Sequence, residues 1–170
     1  MILQPTLQNE RILIRPLLET DFKDLYEVAS DPLIWEQHPF KNRYQLDVFT
    51  SLFQDSLKSG GALVVIDKST SKIIGSSRYY EADLKKGDVV IGYTFLARKY
   101  WGGEYNRQMK HLMINHALTH FKRALFHVDS NNIRSQKAME KIGGHLFREF
   151  EKSGRIIFEY AIDRPFRGAF

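Results

Sequence analysis

The chain of 170 residues carries 43% hydrophobic and 26% charged side chains, the balance of one globular domain with a sizeable core and not of a disordered segment. It has no cysteine, which excludes disulfides, thiolate nucleophiles and cysteine–zinc sites. No apolar run approaches the ~20 residues of a membrane helix, the opening Met1-Ile2-Leu3-Gln4-Pro5 lacks the basic start and apolar stretch of a signal peptide, and the +5 net charge is spread along the chain, so a cytoplasmic protein without membrane or dedicated nucleic-acid binding is expected.

Arg11-Ile12-Leu13-Ile14-Arg15-Pro16 alternates and ends at proline, which predicts a strand. Thr20 or Asp21 caps a helix running through Leu25 and Val28. Asp31-Pro32 has the form of a second cap, with proline at the first helical position. Leu46, Phe49, Phe53 and Leu57 have helical spacing, which predicts a helix over 44–57 stopped by Gly60-Gly61. The period then changes. Segments 62–66, 72–80 and 89–96 predict three strands, separated by Asp67-Lys68-Ser69-Thr70 and Lys85-Lys86-Gly87-Asp88 as turns, in an antiparallel meander.

After Trp101-Gly102-Gly103 helical spacing returns, with Tyr105, Met109, Leu112, Met113, Ala117 and Phe121 on one face. A short buried strand over 124–128 follows. A helix over 132–142 then ends at Gly143-Gly144, and 145–150 pairs with 155–162 as a closing hairpin around Ser153-Gly154. The predicted order, β α α β β β α β α β β, sets one strand–helix–strand unit inside a mostly antiparallel mixed α/β sheet.

Two segments carry chemistry. In Lys99-Tyr100-Trp101-Gly102-Gly103-Glu104-Tyr105-Asn106 a strand enters a glycine turn and opens a helix. The first helical N–H groups lack intrahelical partners, the helix dipole adds positive charge, and glycine lets the backbone approach a phosphate. Lys99 and Arg107 flank the turn. An ordinary strand-to-helix turn reads the same way, so the second segment matters. That is Asn131-Asn132-Ile133-Arg134-Ser135, after a buried strand, where Asn132 caps a helix and Ser135 lies near the same edge.

Together the two segments resemble the GNAT superfamily of N-acetyltransferases, and within it the ribosomal-protein (RimJ/RimL-like) type. Asn9-Glu10-Arg11-Ile12-Leu13-Ile14-Arg15-Pro16, Ala29-Ser30-Asp31-Pro32 and Ile91-Gly92-Tyr93 match recurrent segments, so the resemblance spans nearly the whole chain. It implies a single acyltransferase domain over 1–170. The implied fold has a mixed, mostly antiparallel central sheet, helices on both faces and a splayed pair of central strands. It also implies acetyl-CoA as cosubstrate. Its pantetheine arm would pair with Thr94, Phe95, Leu96 and Ala97. Its diphosphate would lie on Lys99, Gly102, Gly103, Tyr105 and Asn106. Asn132 and Ser135 would flank the thioester. Trp35, Phe40 and Tyr44 fall in the region that shapes the family's acceptor pocket. Two positions depart from the pattern. Glu104 stands where a small residue is usual, and a carboxylate there repels diphosphate unless it points away. Met139 stands where many members carry the Tyr that protonates the leaving thiolate.

Acetyl transfer needs a deprotonated amine, a donor for the developing oxyanion and a proton for the thiolate. A strand N–H of Phe95 or Leu96 suits the second. By the resemblance Glu151 is the base and Ser135 the acid; Glu81 and Glu149 are further carboxylates at strand positions, and any one of the three glutamates reads more readily as a solvated strand-face charge. Direct attack in a ternary complex needs no protein nucleophile, which fits the missing cysteine. The expected acceptor is a primary amine, either a protein N-terminus or a small amine, and the protein a monomer or homodimer with 164–170 available as a contact. His116 and His120 have a metal-like spacing without a third ligand, so no metal is expected. The rival readings are a non-catalytic acyl-CoA-binding module of the same fold and a basic nucleic-acid-binding domain, the latter lacking a contiguous Lys/Arg face.

Overall fold

The computed structural model describes residues 2–164. Residues 165–170, most of the segment offered above as a contact, lie outside the described residues. Eight strands form one sheet in the order β1-β2-β3-β4-β5-β6-β8-β7. They are β1 (Leu7–Gln8), β2 (Ile12–Pro16), β3 (Ala62–Asp67), β4 (Lys72–Asp83), β5 (Asp88–Leu96), β6 (Arg123–Asp129), β7 (His145–Lys152) and β8 (Arg155–Asp163). The main helices are α1 (Phe22–Ala29), α2 (Leu46–Lys58), α3 (Glu104–His120) and α4 (Ile133–Lys141). The predicted elements are therefore present; the two-residue β1 was not predicted. It is too short for a periodicity to show.

The residues fall into two compact units. The first ends at Tyr79 and resumes over Tyr93–Leu112; the second takes Tyr80–Gly92 and the chain from Met113 onward. Thus β4, β5 and α3 each contribute to both. In the first unit β2 pairs antiparallel with β3, and β3 with β4. The Ala97 N–H donates to Ile74 O at 2.8 Å and the Ser77 and Thr94 hydroxyls meet, so β4 and β5 are antiparallel too, as the meander requires.

The first unit's core follows from the helical spacing read in the sequence. Leu25 and Ala29 of α1, and Phe49 and Phe53 of α2, are buried against Ala62, Val64 and Phe95. Phe22 meets Phe49 and Phe53 with ring centroids 5.6 and 5.0 Å apart, aromatic contacts worth ~1 kcal/mol each beyond their buried area. Asp21 precedes α1 but does not cap it with its side chain. Its carboxylate turns back to the Leu18 N–H at 2.8 Å and pairs with Arg15. The ion pair outcompetes the ordinary capping bond. Asp31 does accept the Leu33 N–H, at 3.1 Å, although the turn it caps is a short 3-10 segment.

In the second unit β5 and β6 pair in parallel, the one such pair among the described residues. Their ladder joins Asp88–Arg123, Val89–Ala124 and Val90–Leu125 and goes no further, whereas β6 pairs with β8 along its full length. Val90, Leu125 and Ala161 form a small core, with Tyr80 packed against it.

Candidate active site

The glycine turn is braced from behind. Asp67, at the end of β3, is only 3% exposed. It accepts hydrogen bonds from Tyr100 Oη at 2.7 Å, Tyr105 Oη at 3.3 Å and the Ser69 N–H and Oγ at 3.0 and 2.8 Å. Burial pushes the Asp67 carboxyl up, but these donors together outweigh it and hold the group below its usual range. Burial first, then Asp67, pushes the Tyr100 phenol up to about 12. Tyr100 and Tyr105 sit either side of the glycines, with ring centroids 4.7 Å apart. The turn between them is therefore clamped at both ends.

Gly102 has φ +68, and nothing lies within 4 Å of where a Cβ would stand on Gly102 or Gly103. α3 begins at the next residue. Its first N–H groups, through Asn106, have no partner within the helix. Glu104 pairs with Arg107 one turn on, and that pairing holds its carboxyl below the usual range. The carboxylate that stands in place of a small residue is thereby neutralised by its own helix. Lys99 rests its ammonium 5.0 Å from the Tyr100 ring centre.

β5 leads into this turn. Tyr93 has φ +53, a left-handed conformation uncommon outside glycine, so the strand is kinked just before Thr94. Beyond the kink the backbone alternates. The Ala97 N–H is spent on Ile74 O, so the N–H of Phe95 points the same way, toward β4. The N–H groups of Thr94 and Leu96 point to the opposite edge. Leu96 O accepts from Trp101 Nε1 at 2.9 Å, and the Thr94 and Ser77 hydroxyls are 2.8 Å apart.

In the second unit Asn132 caps α4, its Oδ1 accepting the Ser135 N–H at 3.1 Å. Ser135 is half-buried; Met139 is 3% exposed and serves as core. Glu149 and Glu151 are both exposed on β7, opposite Phe158 and Ile156 of β8. Glu81 is exposed near the end of β4, with φ +48.

The same unit holds a charged cluster that the sequence reading missed. Glu159, 1% exposed, accepts from Arg148 Nε at 2.7 Å and lies 2.7 Å from His127 Nε2. His127 Nδ1 is 3.3 Å from Tyr80 Oη. Burial pushes the Glu159 carboxyl up, yet Arg148 and His127 outweigh it and hold it below the usual range. The one available signal was His127 itself, a polar residue inside the apolar run 124–128. His116 and His120 stack edge to face at 5.0 Å. Among the described residues no group of three or more His, Asp or Glu is placed to hold a metal, and no helix is long and apolar enough to cross a membrane.

Fold and turn define an α/β protein in which a strand kinked at Tyr93 runs into a glycine turn that opens a helix. The profile of the acetyltransferase (GNAT) domain family matches residues 11–145, and the chain belongs to that family. It is thus an acetyltransferase domain, of a family that uses acetyl-CoA to acetylate amines. Solved structures agree on the fold. A GCN5-related N-acetyltransferase from Brucella melitensis has a TM-score of 0.83 at 16% identity, over 94% of this chain and 79% of that one. A GNAT acetyltransferase from Bacillus anthracis gives 0.76 at 18% identity, over 94% and 98%. Spermidine N-acetyltransferase from Vibrio cholerae, in complex with CoA and spermine, gives 0.70 at 16% identity, over 93% and 98%. No match to a curated protein was found.

Proposed function

We propose that this protein transfers the acetyl group of acetyl-CoA to a primary amine, a protein N-terminus or a small amine, by direct attack in a ternary complex. The observation that carries the reading is the braced turn. Gly102 and Gly103 open onto free space before α3, while Asp67 holds Tyr100 and Tyr105 on either side. A diphosphate fits the first N–H groups of α3, with Gly102, Gly103, Tyr105 and Asn106 as its backbone contacts and Lys99 beside them. The edge of Thr94 and Leu96 suits the pantetheine amides. Strand alternation favours the Leu96 N–H over that of Phe95 as oxyanion donor, since the latter faces β4.

In the reaction the amine lone pair attacks the thioester carbonyl, the C–N bond forms, the C–S bond breaks and the thiolate takes a proton. By the resemblance to the RimJ/RimL-like type, Ser135 is that proton's source, Glu151 is the base and Glu81 the other carboxylate at hand, with Asn132 fixing the start of α4. An N-terminal α-amine, with a pKa near 8, needs little help from a base, which suits carboxylates as exposed as these. Residues 1–170 acting as a single acyltransferase domain, as a cytoplasmic monomer or homodimer, belongs to the same proposal; the family match runs through both units. Acetyl-CoA should raise the melting temperature, and CoA thiol should appear when a suitable amine is added. A flat melting temperature at millimolar acetyl-CoA would sink the reading.

A non-catalytic acyl-CoA-binding module is the second reading, favoured by one observation. Met139 is core where many members carry the Tyr acid. It predicts CoA binding with no thiol release across a broad amine panel.

A further inference from the structure

The cluster around His127 stands where two strands part. The parallel ladder of β5 and β6 ends at Val90–Leu125, and Gly92 and His127 each lie two residues beyond that end. The ring of Tyr80, on β4, lies against Gly92: a Cβ there would stand 2.9 Å from Tyr80 Cε1 and 3.2 Å from its Oη. That ring meets the imidazole of His127 edge to face, with centroids 6.0 Å apart, and Phe150 of β7 packs on the same imidazole at 5.2 Å. Tyr80 is half-buried, and the His127 side chain is 15% exposed. Gly92 comes two residues before Thr94, the first of the residues proposed above to meet the pantetheine arm.

Hydrogen bonding sets the direction in which a proton can move. An ionised carboxylate only accepts, so Glu159, 2.7 Å away, requires the hydrogen on His127 Nε2. Nδ1 is left as the acceptor and faces Tyr80 Oη at 3.3 Å, a contact that can tighten as charge develops. Burial pushes the Glu159 carboxyl up, yet Arg148 and His127 hold it ionised. The Arg148 side chain is 61% exposed, so water screens its charge and Glu159 keeps its attraction for an imidazolium. A buried carboxylate, a histidine and a hydroxyl in this order move the hydroxyl proton to the imidazole in serine hydrolases. A phenol in that place can take a proton from an ammonium as it gives up its own.

We infer that Tyr80, His127 and Glu159 form a relay that takes a proton from the acceptor nitrogen as it attacks the thioester, an assignment that rests on the transferase reading proposed above. An ammonium must lose two protons to become an amide nitrogen. Glu151, in water, takes the first and frees the lone pair. The C–N bond then forms and the nitrogen becomes cationic, so its second proton turns acidic within the step itself. Tyr80 Oη accepts that proton while its own passes to His127 Nδ1, and Glu159 holds the imidazolium. The C–S bond breaks with its electron pair on sulfur, which takes the proton of Ser135. Glu151 and His127 return their protons to water and Ser135 recovers one, so one proton is released per turnover. Tyr80 is the catalytic residue; His127 and Glu159 act through it as positioning residues.

Thiol release is measured from about pH 5.5 to 9.5 at saturating acetyl-CoA, with small alkyl amines and peptides having free N-termini. Tyr80→Phe should lower kcat about a hundredfold or more at every pH while KM for acetyl-CoA stays unchanged. An unaltered acetyl-CoA shift in melting temperature shows that the variant is folded. The relay works only with Nδ1 unprotonated, so kcat of the parent should fall on the acid side. The groups that set this limb are those facing His127: Tyr80, Glu159 and, through Glu159, Arg148. His127→Gln, a second variant that leaves the tyrosine in place, should lower kcat and erase that limb. Glu151→Gln should recover at high pH, where water frees the amine, and Tyr80→Phe should not, because its proton appears only in the adduct. Tyr80→Phe with the parent's kcat, or His127→Gln with the acid limb intact, overturns the relay, leaves the transferase reading standing and makes the cluster a structural ion pair. Recovery of Tyr80→Phe at high pH overturns it as well. No thiol release by the parent with any amine removes the transferase reading and the relay with it.

Discussion

The Tyr100 hydroxyl donates to Asp67 Oδ2 at 2.7 Å, tying the residue before the glycine turn to the end of β3 across 33 positions of sequence. Tyr105, one residue into α3, reaches the other oxygen at 3.3 Å. One buried carboxylate therefore sets both shoulders of the turn. Hydrogen bonds to a charged group contribute about 1.5–3 kcal/mol each. Asp67→Asn should lower stability by about 2–3 kcal/mol in urea melts and raise KM for acetyl-CoA while leaving KM for the amine nearly unchanged. Tyr100→Phe should show the same KM pattern with about 1 kcal/mol of lost stability. If both variants keep the parent's acetyl-CoA KM, the brace has no role in cofactor binding.

Glu159 gives a prediction with a definite sign. Its folded pKa lies below its unfolded value, with burial opposing the shift and Arg148 and His127 producing it. A depressed carboxyl contributes stability that is present above the unfolded value, near 4.3, and is lost as pH falls through the folded one. The protein should therefore lose stability steeply below about pH 4.5. Glu159→Gln should cost about 3 kcal/mol at pH 7, the low end for a broken buried pair because Arg148 is largely in water. It should also flatten the acid limb. Parallel acid limbs in parent and variant would show that other carboxylates, Asp67 among them, govern acid unfolding.

The general acid and base are tested by rates. Ser135→Ala and Glu151→Gln should each lower kcat by roughly 10²–10⁴ if they carry protons in the transition state, with KM for acetyl-CoA little changed. Glu81→Gln should have the smaller effect if Glu151 is the base. Asn132→Ala should instead cost about 1 kcal/mol of stability through the lost cap. Full kcat in the Ser135, Glu151 and Glu81 variants, with activity present in the parent, would require other groups for both roles.

The strands and helices were legible because burial imposes a period on the sequence. Phe49 and Phe53 had to share a face, and 124–128 had to be buried on both sides. The glycine turn was legible because φ +68 at Gly102 demands a residue type. What stayed hidden depends on proximity or on conformation without a residue signature. Asp67 read as the first residue of a polar turn; its bond to Tyr100 exists only once β3 and the turn come together. Tyr93 and Glu81 adopt left-handed φ without being glycine, so nothing in their identity announced the kinks. Glu159 lies in a run of consecutive buried residues, and nothing in that run names Arg148 and His127 as its partners. Arg43 and Arg78 stand 35 residues apart in sequence, yet both place a guanidinium over the Tyr93 ring.

The two glycines of the turn separate backbone strain from ligand approach. A Cβ on Gly102 meets nothing, but φ +68 forces an L-residue into the left-handed region, at a cost of about 1–2 kcal/mol. A Cβ on Gly103 also meets nothing, and that residue carries no positive φ. Gly103→Ala should therefore leave stability within about 0.5 kcal/mol of the parent, as a surface substitution does. If the diphosphate of CoA lies against this backbone, the added methyl stands in its path, and KM for acetyl-CoA should rise by at least about tenfold, a loss of ~1.4 kcal/mol of binding. Gly102→Ala should lower both stability and acetyl-CoA affinity. The decisive measurement is the pair of melting curves with and without acetyl-CoA. A Gly103→Ala protein that melts like the parent alone but gains less from acetyl-CoA places the diphosphate at this turn. One that gains as much moves the diphosphate elsewhere on the chain.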